Sequence, residues 1–280
     1  MLFAGIIAIC ILLGAWGRIV MKKALEHKPP LICALIFEIV QVAVALPLFF
    51  FYEAPETIFF SFISGGLFSA SLVLYFMSFV DGEVSLLTPF RSLRGLVALI
   101  ISILWWHEAL TAGEVTGIVV ITIGILMLYR GTEFKKLIHF LFHKEALFMM
   151  GSVILGVIAS YYDKLGVAAN GLYAHYLWTC SFALVFLAVF CLLWYRTKVW
   201  KLVTSNLSHH NLSVGFIFSG AYVTHLMALQ MERVTIVNAL LAISTLVTTF
   251  LAARYLKEAV LEKLPGTIVI VLGTILIGFL

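Results

Sequence analysis

Glu38 and Gln41 stand three residues apart inside the apolar run ALIFEIVQVAVA, a spacing that puts both on about the same face of a helix. A carboxylate in such a setting faces inward, where it can pair with a base such as Lys22, Arg91 or Lys164, hold a polar solute, or accept a proton. Thr88, Arg91 and Arg94 are also spaced by three, around Pro89, whose ring removes a backbone donor and disfavours helix for the residue before it. The two guanidinium groups could clamp a carboxylate with paired N–H donors, or reach lipid headgroups from a helix end. Tyr222 and His225 repeat the spacing of three and add a phenol and an imidazole, the latter able to change charge near neutral pH. Asp163 and Lys164 are adjacent, so on a helix they point about 100° apart and serve different neighbours. Asp163 could bind an ammonium group or a proton. A helix-end role that locks a closed conformation is the alternative for Asp163, and for Lys22 in the first half. Trp16, Tyr75, Tyr173, His175 and Tyr176 could supply walls, and Asn238, Ser244 and Thr248 a second polar stripe.

These residues sit in a chain of 280 residues that is 63% hydrophobic and 11% charged, against about 45–50% and about 25% for a soluble domain. Several of its apolar runs approach the roughly 20 residues that carry a helix across about 30 Å of hydrocarbon. The pattern predicts helices near 2–22, 31–51, 58–80, 84–105 and 112–129, then 146–165, 172–195, 212–231, 234–254 and 264–280. Residues 131–145 form a basic connecting loop whose KKLIHFLF stretch suits an amphipathic helix along the interface. The expected organisation is therefore 1–130, the loop, and 146–280. Trp105 and Trp106 suit an interfacial belt.

The two sets of five are related. EVSLLTPFRSLRGLVALIISILWWHEAL and RVTIVNALLAISTLVTTFLAARYLKEAV align without a gap, pairing Val84 with Val234 and Glu108 with Glu258 at an offset of 150. Gly117 and Gly124 in one final helix match Gly266 and Gly273 in the other, and Gly14 and Lys22 have the spacing of Gly156 and Lys164. An odd number of spans per copy makes the copies inverted, a common construction of carriers that expose one central site to each side in turn. Glu108 and Glu258, in matching turns, are expected to cap exposed N–H groups.

The opening GAWGRIVMKKALEHKPPLICALIF, the pair HEALTAGEVTGIVVITIGILML and KEAVLEKLPGTIVIVLGTILIG, and YYDKLGV at the start of the second half resemble the drug/metabolite transporter superfamily, in its ten-helix EamA-type branch. The resemblance spans essentially the whole chain. It implies an all-α membrane protein of ten transmembrane helices in two inverted five-helix repeats, and transport of amino acids, amines or other small organic solutes. Many members have a base in the second helix where Glu38 stands here.

The expected function is secondary active transport of an amino acid or related metabolite by alternating access, with a hydrophobic-cation or multidrug exporter as the alternative. The residues expected to line the path are Trp16, Glu38, Gln41, Tyr75, Arg91, Arg94, His175, Tyr176, Tyr222, His225 and Asn238. Glu38, Asp163, Lys164 and His225 are the candidates for proton or charge coupling. Expected partners are a small organic solute, the lipid bilayer and protons as a candidate coupling ion, with the chain a monomer or a dimer in a prokaryotic cytoplasmic membrane. The scattered bases argue against nucleic acid. Neither a cofactor nor a metal is expected: Cys10, Cys33, Cys180 and Cys191 lie singly in apolar runs, and no phosphate-cradling G-x-x-x-x-G-K-[ST] occurs. A lipid-directed enzyme would have to rely on His107-Glu108, His209-His210 or Asp81-x-Glu83, none with ligand spacing on a shared helix. A non-transporting scaffold is the third class. Lysine and arginine counts put both termini outside, whereas the resemblance implies both inside.

Overall fold

The computed structural model describes residues 2–26, 28–51, 55–106, 111–128, 143–258 and 260–279. The 131–142 part of the connecting loop, including its expected interfacial helix, and Glu108 lie outside the described residues. Within them the chain is helical and no strand occurs, as suits a backbone that must satisfy its own hydrogen bonds in hydrocarbon. Helices α1 (Leu2–Leu25), α2 (Pro30–Ala45), α3 (Phe59–Asp81), α4 (Val84–Ser92), α5 (Arg94–Trp106) and α6 (Ala112–Leu128) come first. Then follow α7 (Lys144–Tyr195), α8 (Val199–Asn206), α9 (His209–Met231), α10 (Val234–Leu241), α11 (Ile243–Tyr255) and α12 (Leu264–Phe279). Seven helical stretches of the described residues are long and apolar enough to cross a membrane, and two shorter apolar helices, Ala112–Gly124 and Leu264–Ile277, accompany them. The chain is thus an integral, multi-pass membrane protein.

The helix α7 counts 52 residues, which unbent would run about 78 Å at 1.5 Å per residue, far beyond the roughly 30 Å of hydrocarbon. It folds back at Gly171, where φ is 76° and ψ 167°, a region open essentially to glycine alone. Contacts with α3 trace the reversal. Asp81 meets Lys144, Ser71 meets Ser152 and Ser64 meets Asp163, so the two helices first run antiparallel. Beyond the kink Ser61 meets His175, Phe62 meets Phe182 and Gly66 faces Phe186, so α7 then runs parallel to α3.

Two expected helices, 84–105 and 234–254, are each broken once, at Leu93 and at Ala242. Pro89 was expected to open the first bend, but the second break has no proline, so the shared cause lies elsewhere. At both, the amide bonds back three residues, Leu93 N–H to Phe90 O and Ala242 N–H to Ala239 O at 3.1 Å, which tightens the turn. Side chains then tie the two breaks together: Ser92 Oγ donates to Thr245 Oγ1 at 2.7 Å, and Thr245 Oγ1 donates to the carbonyl of Thr88 at 3.4 Å. Helix α8 occupies what was expected to be a plain connection.

The final helices α6 and α12 pack through their glycines. A Cβ on Gly117 would lie 2.7 Å from the Gly273 carbonyl, and one on Gly124 would lie 2.6 Å from Ile270 N and 3.0 Å from the Gly266 carbonyl. The register falls on one helix as it rises on the other, so the pair is antiparallel and close, as small residues permit between helices in lipid.

Candidate functional site

The helices leave a cavity of about 130 Å³ between the two halves; at roughly 10–15 Å³ per water it holds about ten waters, or a small organic molecule. Three arginines border it: Arg18, Arg91 and Arg94. Arg18 extends from α1 to α11, where Nη1 donates to Thr248 Oγ1 at 2.6 Å and to the Ser244 carbonyl at 3.2 Å, and Nη2 donates to Ser244 Oγ at 2.9 Å. Arg94 extends from the start of α5 to α7, where Nη2 donates to Ser160 Oγ at 3.2 Å and to the Gly156 carbonyl at 3.5 Å. The Nε of each is buried without an acceptor. Arg91 stacks over the ring of Tyr75, 4.5 Å from its centre, and makes no hydrogen bond among the described residues.

Asp163, on α7, contributes the cavity's carboxylate. Its Oδ1 accepts from Tyr222 OH at 2.9 Å, from His175 Nε2 at 3.0 Å, and from Ser64 Oγ. With the Nε2–H of His175 directed at Asp163, His175 Nδ1 is free to accept from Ser61 Oγ at 2.9 Å. His225 Nε2 lies 3.3 Å from Ser160 Oγ, and Tyr222 stacks on Phe68 with ring centres 5.2 Å apart. Asn238 donates to the Val234 carbonyl at 2.9 Å, which leaves its buried Oδ1 without a donor. Gln41, Tyr75, Tyr222, His225 and Asn238 all line this space together with Arg91 and Arg94.

Other residues singled out in the sequence stand elsewhere. Glu38 is fully buried outside the cavity lining, and neither carboxyl oxygen has a hydrogen-bond partner. The bases expected to pair with it are engaged otherwise. Lys22 Nζ donates to the carbonyls of Phe79 and Gly82, at 2.7 and 2.9 Å. Lys164 Nζ donates to those of Leu229 and Glu232, at 2.9 and 2.6 Å, outside the cavity. Each lysine thus closes the end of a long helix, α3 or α9, where orphan carbonyls favour a cation. Trp16 is 40% exposed and sits edge-on to Tyr255. His175 and Tyr176 are buried behind the lining, His175 on Asp163 and Tyr176 against Tyr222. Glu258 caps α4 across the halves, its two oxygens accepting from the amides of Val84 at 2.9 Å and Ser85 at 2.7 Å. Asp81 and Glu83 are taken up by Lys144 and Lys263.

The sequence reading missed Arg18, together with Ser160, Ser61 and Ser64. A signal for Arg18 was present: it lies four residues before Lys22 and after Gly14, inside an apolar helix, where an ionisable side chain is a functional candidate by default. The serines carried none, because hydroxyls are frequent on membrane helices.

Residues 2–130 match the EamA-like transporter family. A protein solved by crystallography, 14% identical, superposes with a TM-score of 0.65 over 99% of this chain and 96% of its own, a likeness of fold. No curated protein matches the chain.

Proposed function

From the match of residues 2–130 to the EamA-like transporter family, in line with the drug/metabolite transporter superfamily, we propose that the chain is a secondary active transporter. It carries a small organic solute of the amino-acid and related-metabolite class by alternating access, across a prokaryotic cytoplasmic membrane. In this reading the membrane is crossed ten times. The long helix α7 counts twice because it reverses at Gly171, and the shorter α6 and α12 count once each beside the other long stretches. Residues 1–130 and 146–280 are then the inverted repeats, joined by 131–145.

The observation that carries the reading is a reciprocal pair of contacts at the cavity. Position 18 corresponds to position 160 at the spacing that relates Gly14 to Gly156 and Lys22 to Lys164, and position 94 corresponds to 244 at the offset of 150. Arg18 bonds Ser244, the counterpart of Arg94; Arg94 bonds Ser160, the counterpart of Arg18. A local two-fold relation between the halves produces this exchange. The lysine closures repeat it, since Phe79 and Gly82 correspond to Leu229 and Glu232 at the same offset. Two near-equivalent halves meeting at one polar cavity can exchange conformations and open it to either side. Asp163 and His225 are the cavity groups able to exchange a proton with a coupling gradient.

A hydrophobic cation is a poorer occupant. It would need carboxylates at the cavity without arginines, whereas Glu38 stands outside and Arg91 inside. The test is counterflow of labelled amino acids and organic metabolites into sealed proteoliposomes that hold the purified chain. Saturable exchange that disappears when the vesicles are made leaky supports carriage. Turnover of a lipid that persists in leaky vesicles, with no exchange, would overturn it.

A further inference from the structure

The cavity carries an excess of positive charge that its own residues do not neutralise. Three guanidinium groups border it against the single carboxylate of Asp163, and arginine stays protonated in proteins. No ion pair among the described residues includes an arginine. Asp163 spends Oδ1 on Ser64, Tyr222 and His175, and no arginine hydrogen-bonds it. Charges held at such depth pair with one another or with backbone carbonyls and mark substrate paths; Arg18 and Arg94 reach the carbonyls of Ser244 and Gly156, Arg91 reaches none among the described residues, and the net charge of the three is left for an anionic cargo to offset.

Donors are available for it. Arg91 has all its N–H groups unspent among the described residues, held only through the ring of Tyr75. Arg18 and Arg94 each keep a buried Nε with no acceptor, and their remaining contacts fix the guanidinium planes in advance of binding. Fixed forks of this kind suit the planar or tetrahedral oxygens of a carboxylate or a phosphoryl group. The other walls are apolar and aromatic, from Phe37, Phe68, Phe76 and Phe218, which suits an organic body more than a bare inorganic ion.

We infer that the cargo is an organic anion of net negative charge, a carboxylate or phosphomonoester, bound by Arg18, Arg91 and Arg94 together. The inference rests on the carrier reading and narrows it: acidic amino acids, dicarboxylates and sugar-phosphate-like esters come before neutral amino acids and amines. It also assigns a binding role to Arg18. Because Arg18 and Arg94 are each anchored to the opposite half, an anion between them bridges both halves and is released when they part.

The test uses the purified full-length chain in detergent and in sealed proteoliposomes. Thermal stabilisation is measured with glutamate, succinate, glycerol phosphate, inorganic phosphate, leucine, putrescine and tetraphenylphosphonium, and then counterflow of whichever of them binds. The expected result is stabilisation by glutamate, succinate or glycerol phosphate, weaker stabilisation by inorganic phosphate, and none by putrescine or tetraphenylphosphonium. Arg91→Gln should weaken binding of the stabilising anion by about ten- to a hundredfold, the range for losing a hydrogen bond to a charged group, and Arg91→Lys by less. Arg91 anchors no hydrogen bond among the described residues, so Arg91→Gln is expected to keep the wild-type melting temperature without solute, which is measured alongside; Arg18→Lys is the parallel check. Stabilisation and exchange by leucine, putrescine or tetraphenylphosphonium, without an anion effect, would sink the anion inference and leave carriage standing. Anion binding that Arg91→Gln removes, without flux of any solute, would keep the anion site and sink carriage. An anion that binds with unchanged strength in Arg91→Gln and Arg18→Lys would overturn the assigned site.

Discussion

Glu258 offers a direct test of how the two halves close on each other. Its oxygens accept from the amides of Val84 and Ser85, the first residues of α4 in the opposite half. Beside it, Lys263 donates to Ser85 Oγ at 3.1 Å and pairs with Glu83. One edge of the bundle is thus latched by Glu258 and Lys263 on residues 83–85. In Glu258→Gln, one oxygen becomes an amide nitrogen that confronts a backbone N–H. A donor is orphaned and the remaining bond loses its charge. Hydrogen bonds to charged groups contribute about 1.5–3 kcal/mol each, but this carboxylate is only partly buried, so the lower end applies: about 1–2 kcal/mol against the latched form. A loss of 1–2 kcal/mol moves a two-state equilibrium about 5- to 30-fold. The assay is labelling of a cysteine introduced at Val84, buried in the latched form, in a variant without the four native cysteines, with Glu262→Gln, an exposed neighbour, as control. Labelling should rise about 5- to 30-fold in Glu258→Gln and stay unchanged in Glu262→Gln. Equal labelling in both, with the melting temperature intact, would show that the cap does not hold this edge and would refute the reasoning.

Four further outcomes follow from the packing. Gly273→Ala places a Cβ 2.7 Å from Ile121 N and 2.9 Å from the Gly117 carbonyl; backbone atoms cannot yield, so the melting temperature should fall by an overpacking cost of about 1–3 kcal/mol. Gly171→Ala forces a side chain into a glycine-only region and should cost about 1–3 kcal/mol, read as a lower yield of monodisperse protein, whereas Gly5→Ala, with open space around it, should be silent. Lys22→Met and Lys164→Met each expose helix-end carbonyls; parallel losses of stability support the repeat, and a large loss in only one counts against it. Glu38→Gln removes a buried carboxyl that lies outside the cavity, so the affinity for the stabilising solute should stay within about twofold, the amide being an isostere of similar volume; a larger change in binding isotherms would place Glu38 in the path.

The apolar lengths and the glycine spacing were legible because hydrocarbon thickness and close helix approach act on residue type alone. Gly117 and Gly124 were matched to Gly266 and Gly273 as counterparts by their spacing of seven; that the two helices pack on each other, Gly117 against Gly273 and Gly124 against Gly266, came only with the structure. Glu258 was readable as a cap, since a carboxylate before a helix has few other uses, yet that it caps α4 of the opposite half depends on tertiary placement. Glu38 shows the limit. Its depth in an apolar helix was correct, but which way a helix turns its face is decided by neighbours far along the chain, and here that face is packed away from the cavity. The breaks at Leu93 and Ala242 were similarly hidden, because the side chains that tie them, Ser92 and Thr245, lie in different halves. Arg18 joins both lessons. Alone it looks like a cation near a helix end; only when Ser244 and Thr248 hold it does it become one of three positive groups around a space too small for more than a single small solute. A local sequence pattern therefore names the charges a membrane chain can bring to its centre, and the long-range hydrogen bonds decide which of them are left for the cargo.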